Sequence, residues 1–209
     1  MSPFIAPIIQ TPAGECPLPI RFGLPGDADA LRSWRIGRTH THPPAARDAV
    51  EYARLASKRW RYYARRDEVA KSLPELRQRA PKGSQEEVGF LLVAGQDNTS
   101  APQTLAMAWC RRTWCHHLVL DFLACHPVAF DARSGYGGVG SAMLFALGLI
   151  TSELRIPLLW GEATAVSAGF YSKRVLGGQP VTDHFFIRDT HLANLQREGK
   201  RSAIHSRRS

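Results

Sequence analysis

Leu118-Val-Leu-Asp-Phe-Leu-Ala-Cys-His-Pro127 leads, through a short connector, into Gly135-Tyr-Gly-Gly-Val-Gly140 and Ser141-Ala-Met-Leu-Phe-Ala-Leu147. The first part is an apolar run rich in Leu, Val and Phe, stopped by a proline, which predicts a buried strand. The glycines predict a turn whose backbone takes positive φ and approaches a ligand closely. Ser141 then marks a helix start, where unpaired N–H groups and a partial positive charge collect. Strand, glycine turn and helix N-terminus in that order predict an anion site, most often one for phosphate.

Two letter motifs compete for this turn. A P-loop needs Gly-Lys-Ser/Thr to close it, and none follows. Gly135, Gly137 and Gly140 spell the dinucleotide-binding G-x-G-x-x-G, and Glu162 ends the next strand-like run. That pattern requires a tight strand-to-glycine turn, whereas His126 to Ser134 intervene here. A nicotinamide-dependent oxidoreductase therefore stays as an alternative.

Working outward, Pro157 to Glu162 predicts a short strand parallel to the one ending at Pro127, because a helix crosses between them. Ala165 to Val175 predicts a helix, and Thr182 to Arg188 a last strand. Upstream, Glu87–Gly95 and Thr104–Arg112 predict an antiparallel pair joined by a polar turn at Gln96–Gln103, with His116–Cys125 completing the meander. Residues 1–17 read as an irregular arm. Leu18–Phe22 reads as a first strand, and Gly26–Trp34 as a helix with Asp27 at its N-cap. Residues 18–190 form one domain, and 191–209 a basic, polar tail with Arg197, Lys200, Arg201, Arg207 and Arg208.

The two glycine and strand blocks together resemble the GNAT (GCN5-related) N-acetyltransferase family. Gly138-Val139-Gly140, after a strand ending at His126-Pro127, is similar to its motif A. Leu158 to Lys173 followed by Leu176-Gly177 is similar to motif B, a strand leading to a helix with Phe-Tyr and then Leu-Gly. The likeness spans about residues 104–178, with an echo at Ile20–Trp34. It implies an α/β fold with a mixed, mostly antiparallel sheet flanked by helices, and a parallel strand pair splayed around acetyl-CoA. It implies an acetyl-CoA-dependent N-acetyltransferase acting by direct attack, with acetyl-CoA as co-substrate. Its cofactor contacts fall on Leu123, Ala124, Cys125, Arg133, Gly135, Tyr136, Gly137, Gly138, Val139, Gly140, Ser141, Thr164 and Ser167. Tyr171 falls on the tyrosine that serves as general acid. Asp121 stands two residues before Leu123, where many members place a glutamate base. By strand alternation Asp121 shares a face with Leu123 and Cys125, and His117 shares it too as the other candidate base. The sequence departs from the family in several places. Gly135 stands at the motif A Gln/Arg, Thr164 at the motif B asparagine and Gly178 at a phenylalanine. An acetyl-CoA binder without catalysis is compatible with these departures.

Residues 45–80 predict a long helical segment, with Pro74 kinking or ending it, and the resemblance implies that this segment lies on the acceptor side. Arg59, Arg61, Arg65 and Arg66 interleave with Trp60, Tyr62 and Tyr63. The plain reading is an aromatic core stripe with a solvated basic face. The functional reading is a nucleic-acid surface, and with the tail it gives the second alternative, a non-catalytic nucleic-acid binder.

Composition bounds the rest. The 209 residues are 44% hydrophobic, enough for one sizeable core, and the formal net charge is +9. That excess favours acidic partners, so the unidentified amine acceptor is read as an acidic protein or RNA, and a homodimer is left open. Coenzyme A is itself polyanionic. No apolar run is long enough to span a bilayer and no signal-peptide pattern opens the chain, which predicts no membrane partner and a cytoplasmic location. Cys16, Cys110, Cys115 and Cys125 read as free thiols, with no metal site. His40 and His42 read as a surface loop, not as a metal pair.

Overall fold

The computed structural model describes residues 6–95, 104–188 and 191. The tail beyond His191 and the turn expected at Gln96–Gln103 lie outside the described residues. In chain order the elements are β1 (Ile8–Thr11), β2 (Gly14–Pro17), β3 (Ile20–Phe22), α1 (Pro25–Ala30), α2 (Pro43–Ala64), α3 (Leu73–Arg79), β4 (Val88–Ala94), β5 (Ala106–Arg112), β6 (Leu118–Cys125), α4 (Val139–Glu153), β7 (Leu159–Glu162), α5 (Ala168–Arg174) and β8 (His184–Ile187). Short 3-10 turns at Leu31–Ser33 and Pro127–Phe130 follow α1 and β6.

Strands β3 to β8 form one six-stranded sheet in sequence order. Every neighbouring pair is antiparallel except β6–β7, which is parallel and crossed by α4. The mixed, mostly antiparallel sheet expected from the sequence is therefore present. A doubly wound parallel sheet is not, and with it goes the dinucleotide-binding reading of Gly135, Gly137 and Gly140. The two faces of the sheet explain the sequence pattern. β4 is buried along its whole length, so it reads as an unbroken apolar run. One face packs on α4, with Phe90, Leu92, Leu118, Leu120, Met143 and Leu147 in a common cluster. The other packs on α2, where Ala49, Ala53, Ala56, Trp60 and Tyr63 recur at helical spacing against Leu91, Met107 and Trp109.

Four expectations are corrected. The N-terminal arm is not irregular: β1 and β2 form a hairpin, and Gln10 exchanges backbone hydrogen bonds with Gly137 at 3.1 and 3.0 Å. Asp27 is not the N-cap of α1. It sits at the third helical position, where its carboxylate accepts from Leu24 N–H at 2.8 Å and pairs with Arg21. The 45–80 segment is two helices, and Pro74 opens the second one, where a missing N–H costs nothing. Ser72 caps that helix by accepting from Glu75 N–H at 3.2 Å. Helix α4 begins at Val139 with Gly138 as N-cap, so Ser141 is its third residue and not its start.

Candidate active site

The parallel pair opens immediately past its third rung. Leu118, Val119 and Leu120 pair with Leu159, Trp160 and Gly161, and there the ladder ends although both strands continue. Gly161 is required at that last rung, because a Cβ would stand 2.6 Å from Leu120 O and 2.9 Å from the Phe185 ring. Past the opening, β6 still pairs with β5. His126 N–H donates to Leu105 O at 2.7 Å on that side. By alternation the N–H groups of Leu123 and Cys125 face the gap beside β7, whereas that of Ala124 is directed to β5.

A β-bulge decides where the side chains of β6 go. Cys110 pairs with Leu120 and Trp109 with Phe122, which leaves Asp121 as the extra residue. The alternation therefore slips by one. Leu118, Leu120, Leu123 and Cys125 belong to the α4 side, and Phe122 and Ala124 to the α2 side. Asp121 consequently does not share a face with Leu123 and Cys125, which corrects the expectation drawn from strict alternation. Its carboxylate is held by Arg111 through two hydrogen bonds, Nε–Oδ2 at 2.6 Å and Nη2–Oδ1 at 2.8 Å. Arg111 also reaches Glu87 at 2.9 Å, and the Tyr63 hydroxyl donates to Glu87. Burial, then the Glu87 carboxylate, push the Tyr63 phenol up to about 12. The Asp121 hydrogen bonds hold the Arg111 guanidinium above its already high value. This is a structural ion network. His117 lies in the β5–β6 turn at the opposite end of β6, about 20 Å of strand from Leu123. Neither candidate base reaches the gap.

A cavity of about 450 Å³ fills the opening. Leu123, Ala124 and Cys125 form its floor, and Tyr136, Gly137, Gly138, Val139, Gly140 and Ser141 one wall. Thr164, Ser167 and Tyr171 form the facing wall. Twelve sequence-predicted residues thus meet at one place. Arg133 and Gly135 do not line it. Arg133 is exposed and bound to Asp131 and the Thr39 carbonyl. Gly135 has φ +74°, and a Cβ there would lie 3.3 Å from Pro12 Cα in the β1–β2 turn.

The glycine wall has the features of an anion cradle. Gly138 has φ +81°, a left-handed backbone that swings the chain into α4. The first helical bond is Ala142 N–H to Gly138 O at 2.9 Å, so the N–H groups of Val139, Gly140 and Ser141 have no helical acceptor. Gly137 N–H is not available, being given to Gln10. A Cβ on Gly140 would lie 3.1 Å from the Phe170 ring, a tight contact that would require the ring to shift by a few tenths of an ångström. Opposite, Thr164 and Ser167 cap each other reciprocally. Thr164 N–H donates to Ser167 Oγ at 3.0 Å, and Ser167 N–H to Thr164 Oγ1 at 3.2 Å.

Tyr171 is 4% exposed, with its ring stacked on Phe185 at 3.9 Å between centroids. Burial, with smaller contributions from Tyr52, Cys125 and Cys110, raises its phenol well above the usual value. Burial pushes the Cys125 thiol up to about 12, so it stays a neutral thiol and a poor nucleophile. Burial also pushes His126 down to about 4, and its Nδ1 accepts from Val128 N–H at 3.2 Å to start the 3-10 turn.

The sequence reading put the 45–80 segment on the acceptor side but did not single out the α2 residues that line the cavity. Ala45, Asp48, Ala49 and Tyr52 line it, with Phe130 and Arg174. Asp48 and Tyr52 are four apart on one helix and so share its face. Burial, then the charges of Asp48 and Glu162, raise the Tyr52 phenol. That i, i+4 spacing was legible; its direction toward β6 was not. Among the described residues no cluster of His, Cys, Asp and Glu could hold a metal ion, and no helix is long and apolar enough to cross a membrane.

No protein-family model matches the chain, and no curated protein matches it. Solved structures do. An acetyltransferase of the GNAT family from Staphylococcus aureus is 10% identical, with 82% of this chain and 98% of that chain covered and a TM-score of 0.48. An N-acetyltransferase from Thermoplasma acidophilum, solved with coenzyme A, is 14% identical over 83% and 99%, with a TM-score of 0.46. A candidate streptothricin acetyltransferase from Bacillus anthracis, solved with acetyl coenzyme A, is 13% identical with a TM-score of 0.37. It is covered over 62% of its own length and 48% of this chain.

Proposed function

We propose that the cavity takes acetyl-CoA and that the protein moves its acetyl group to an amine. The observation supporting this best is the conjunction of two features: the parallel pair opens at Leu120 and Gly161, and the unpaired N-terminus of α4 faces that opening. A thioester carbonyl accepts naturally from an N–H of Leu123 or Cys125 in the gap. The pyrophosphate suits the N–H groups of Val139, Gly140 and Ser141, which need an anion and no particular side chain. Arg174 supplies a cation at the cavity in place of Arg133.

In this reading the amine attacks the thioester carbon directly, a C–N bond forms, and the C–S bond breaks. Tyr171 donates from its hydroxyl to the departing sulfur. Cys125, held neutral, is no acyl carrier. The base passes from Asp121 and His117 to Asp48, a carboxylate that lines the cavity and has no ion-pair partner among the described residues. Asp48 takes the proton the amine must lose before it attacks.

Two tests follow. Calorimetry should show acetyl-CoA binding to the native chain and no binding of NAD; tight NAD binding with no response to acetyl-CoA would sink the reading. The two aspartates should separate cleanly. Asp48→Asn is expected to lower kcat/KM by roughly 10²-fold with stability unchanged. Asp121→Asn should leave kcat/KM of the folded protein near wild type while lowering stability by about 1–3 kcal/mol, because Arg111 loses its charged partner in a half-buried site. Urea unfolding and steady-state kinetics on both variants read this. The opposite pattern returns the base to Asp121.

A further inference from the structure

A second concave surface lies on α2, away from the cavity. Arg54, Lys58, Arg61 and Tyr62 on α2, Arg65 at its C-cap, Arg32 in the Leu31–Ser33 turn and Arg35 just after it line a groove of about 570 Å³. Six of the seven lining residues are cationic and none is acidic. The ion pairing recorded among them is a weak one, Arg54 to Glu51 at 3.7 Å between two well-exposed side chains. Arg61 gives one guanidinium N–H to Ser57 Oγ at 2.9 Å, while its Nε is buried without a partner. Arg35 is held in place by the carbonyls of Arg32 and Trp34 at 2.7 and 2.8 Å. Like charges gathered this closely repel one another, and an anion seated among them relieves that repulsion.

We propose that this groove binds single-stranded nucleic acid through its phosphates. The stretch from Arg54 to Arg65 spans about 16 Å of helix, long enough for several successive phosphates. Tyr62 separates nucleic acid from other polyanions. It is 52% exposed at the groove, and the Arg66 guanidinium lies 3.7 Å over its ring. An exposed aromatic with an arginine plane beside a cationic track is what base stacking uses. Polyphosphate and polyglutamate offer no aromatic face to stack on it. The sequence pattern of arginine and aromatic residues is thereby divided. Trp60 and Tyr63 belong to the core, Tyr62 faces the groove, and Arg32 and Arg35 join from a different part of the chain. The inference rests on the groove alone and is independent of acetyl transfer.

The test uses the full chain and fluorescence anisotropy with a 20-nucleotide oligouridylate, against polyphosphate and polyglutamate. Binding is expected to weaken with salt, with a log–log slope of about −2 to −4 for three to six phosphates neutralised. The exposed triple variant Arg54→Glu/Lys58→Glu/Arg65→Glu should lose at least about tenfold in affinity and flatten that slope. Tyr62→Ala should lose about fivefold or more for oligouridylate and nothing for polyphosphate. If the triple variant misfolds, Tyr62→Ala and the single Lys58→Glu still decide. Wild-type affinity in the charge variants would overturn the proposal, as would equal binding of polyglutamate with no effect of Tyr62→Ala.

Discussion

Tyr171→Phe should lower kcat by roughly 10²-fold while acetyl-CoA binds almost as before. The ring is what packs. It stacks on Phe185 with 15° between planes and meets Phe170 edge-on at 5.3 Å, and phenylalanine keeps both contacts. The hydroxyl alone is lost, and its contribution arises as negative charge develops on sulfur, so the loss appears in kcat. The raised phenol refines the role. A thiol ionises near pH 8.5 and a free phenol near 10, so complete transfer of the phenolic proton to sulfur runs uphill, more so when burial raises the phenol further. A neutral, buried donor that hydrogen-bonds the forming thiolate stabilises it without ionising, and the thiolate's proton is finally replaced from solvent. The same shift fixes the pH dependence. Tyr171 stays protonated below about pH 10, so the wild-type profile should show no alkaline limb from it there. Turnover by a folded Tyr171→Phe variant at the wild-type rate would make Tyr171 a packing residue.

Gly138→Val is expected to abolish acetyl-CoA binding, by more than about 10²-fold in Kd, and to cost about 1–2 kcal/mol of stability or somewhat more. The stability cost comes from a side chain at φ +81°, where L-residues are strained. The binding loss has a separate origin. A Cβ at Gly138 has nothing nearer than Ile9 at 4.0 Å, so packing does not oppose it, and because Gly138 lines the cavity a valine side chain is expected to take space the coenzyme needs. Gly177→Val is the matched control. Gly177 has φ +62° and open space around it, and does not line the cavity. The same backbone strain there should lower the melting temperature and leave coenzyme binding intact. Calorimetry on both variants, with thermal melts, separates strain from occlusion. Comparable binding losses in the two would mean that strain, not the cradle, explains the effect.

The sequence alone determined the strand at Leu118–Cys125, the glycine turn at Gly138 before the crossing helix, and the parallel partner ending at Glu162. These were legible because each depends on local chemistry: an apolar run stopped by proline, glycines before a helix, a crossover long enough to return parallel. The motif B likeness equally put Tyr171 on the helix after that strand, where it lines the cavity. Tertiary structure decided the rest. The bulge at Asp121 is invisible in sequence, because an extra residue in a strand depends on the partner's register. That one residue turned an expected base toward Arg111 and Glu87. Gly137 lines the cavity as expected, but its N–H goes to Gln10 of the N-terminal hairpin, more than a hundred residues away in the chain. Asp48 and Tyr52 carry no mark of a site in the sequence, and only α2 laid across the open end of β6 brings them to the cavity. Side-chain direction on a helix or strand follows from what the element packs against, and for these residues that partner is remote in sequence.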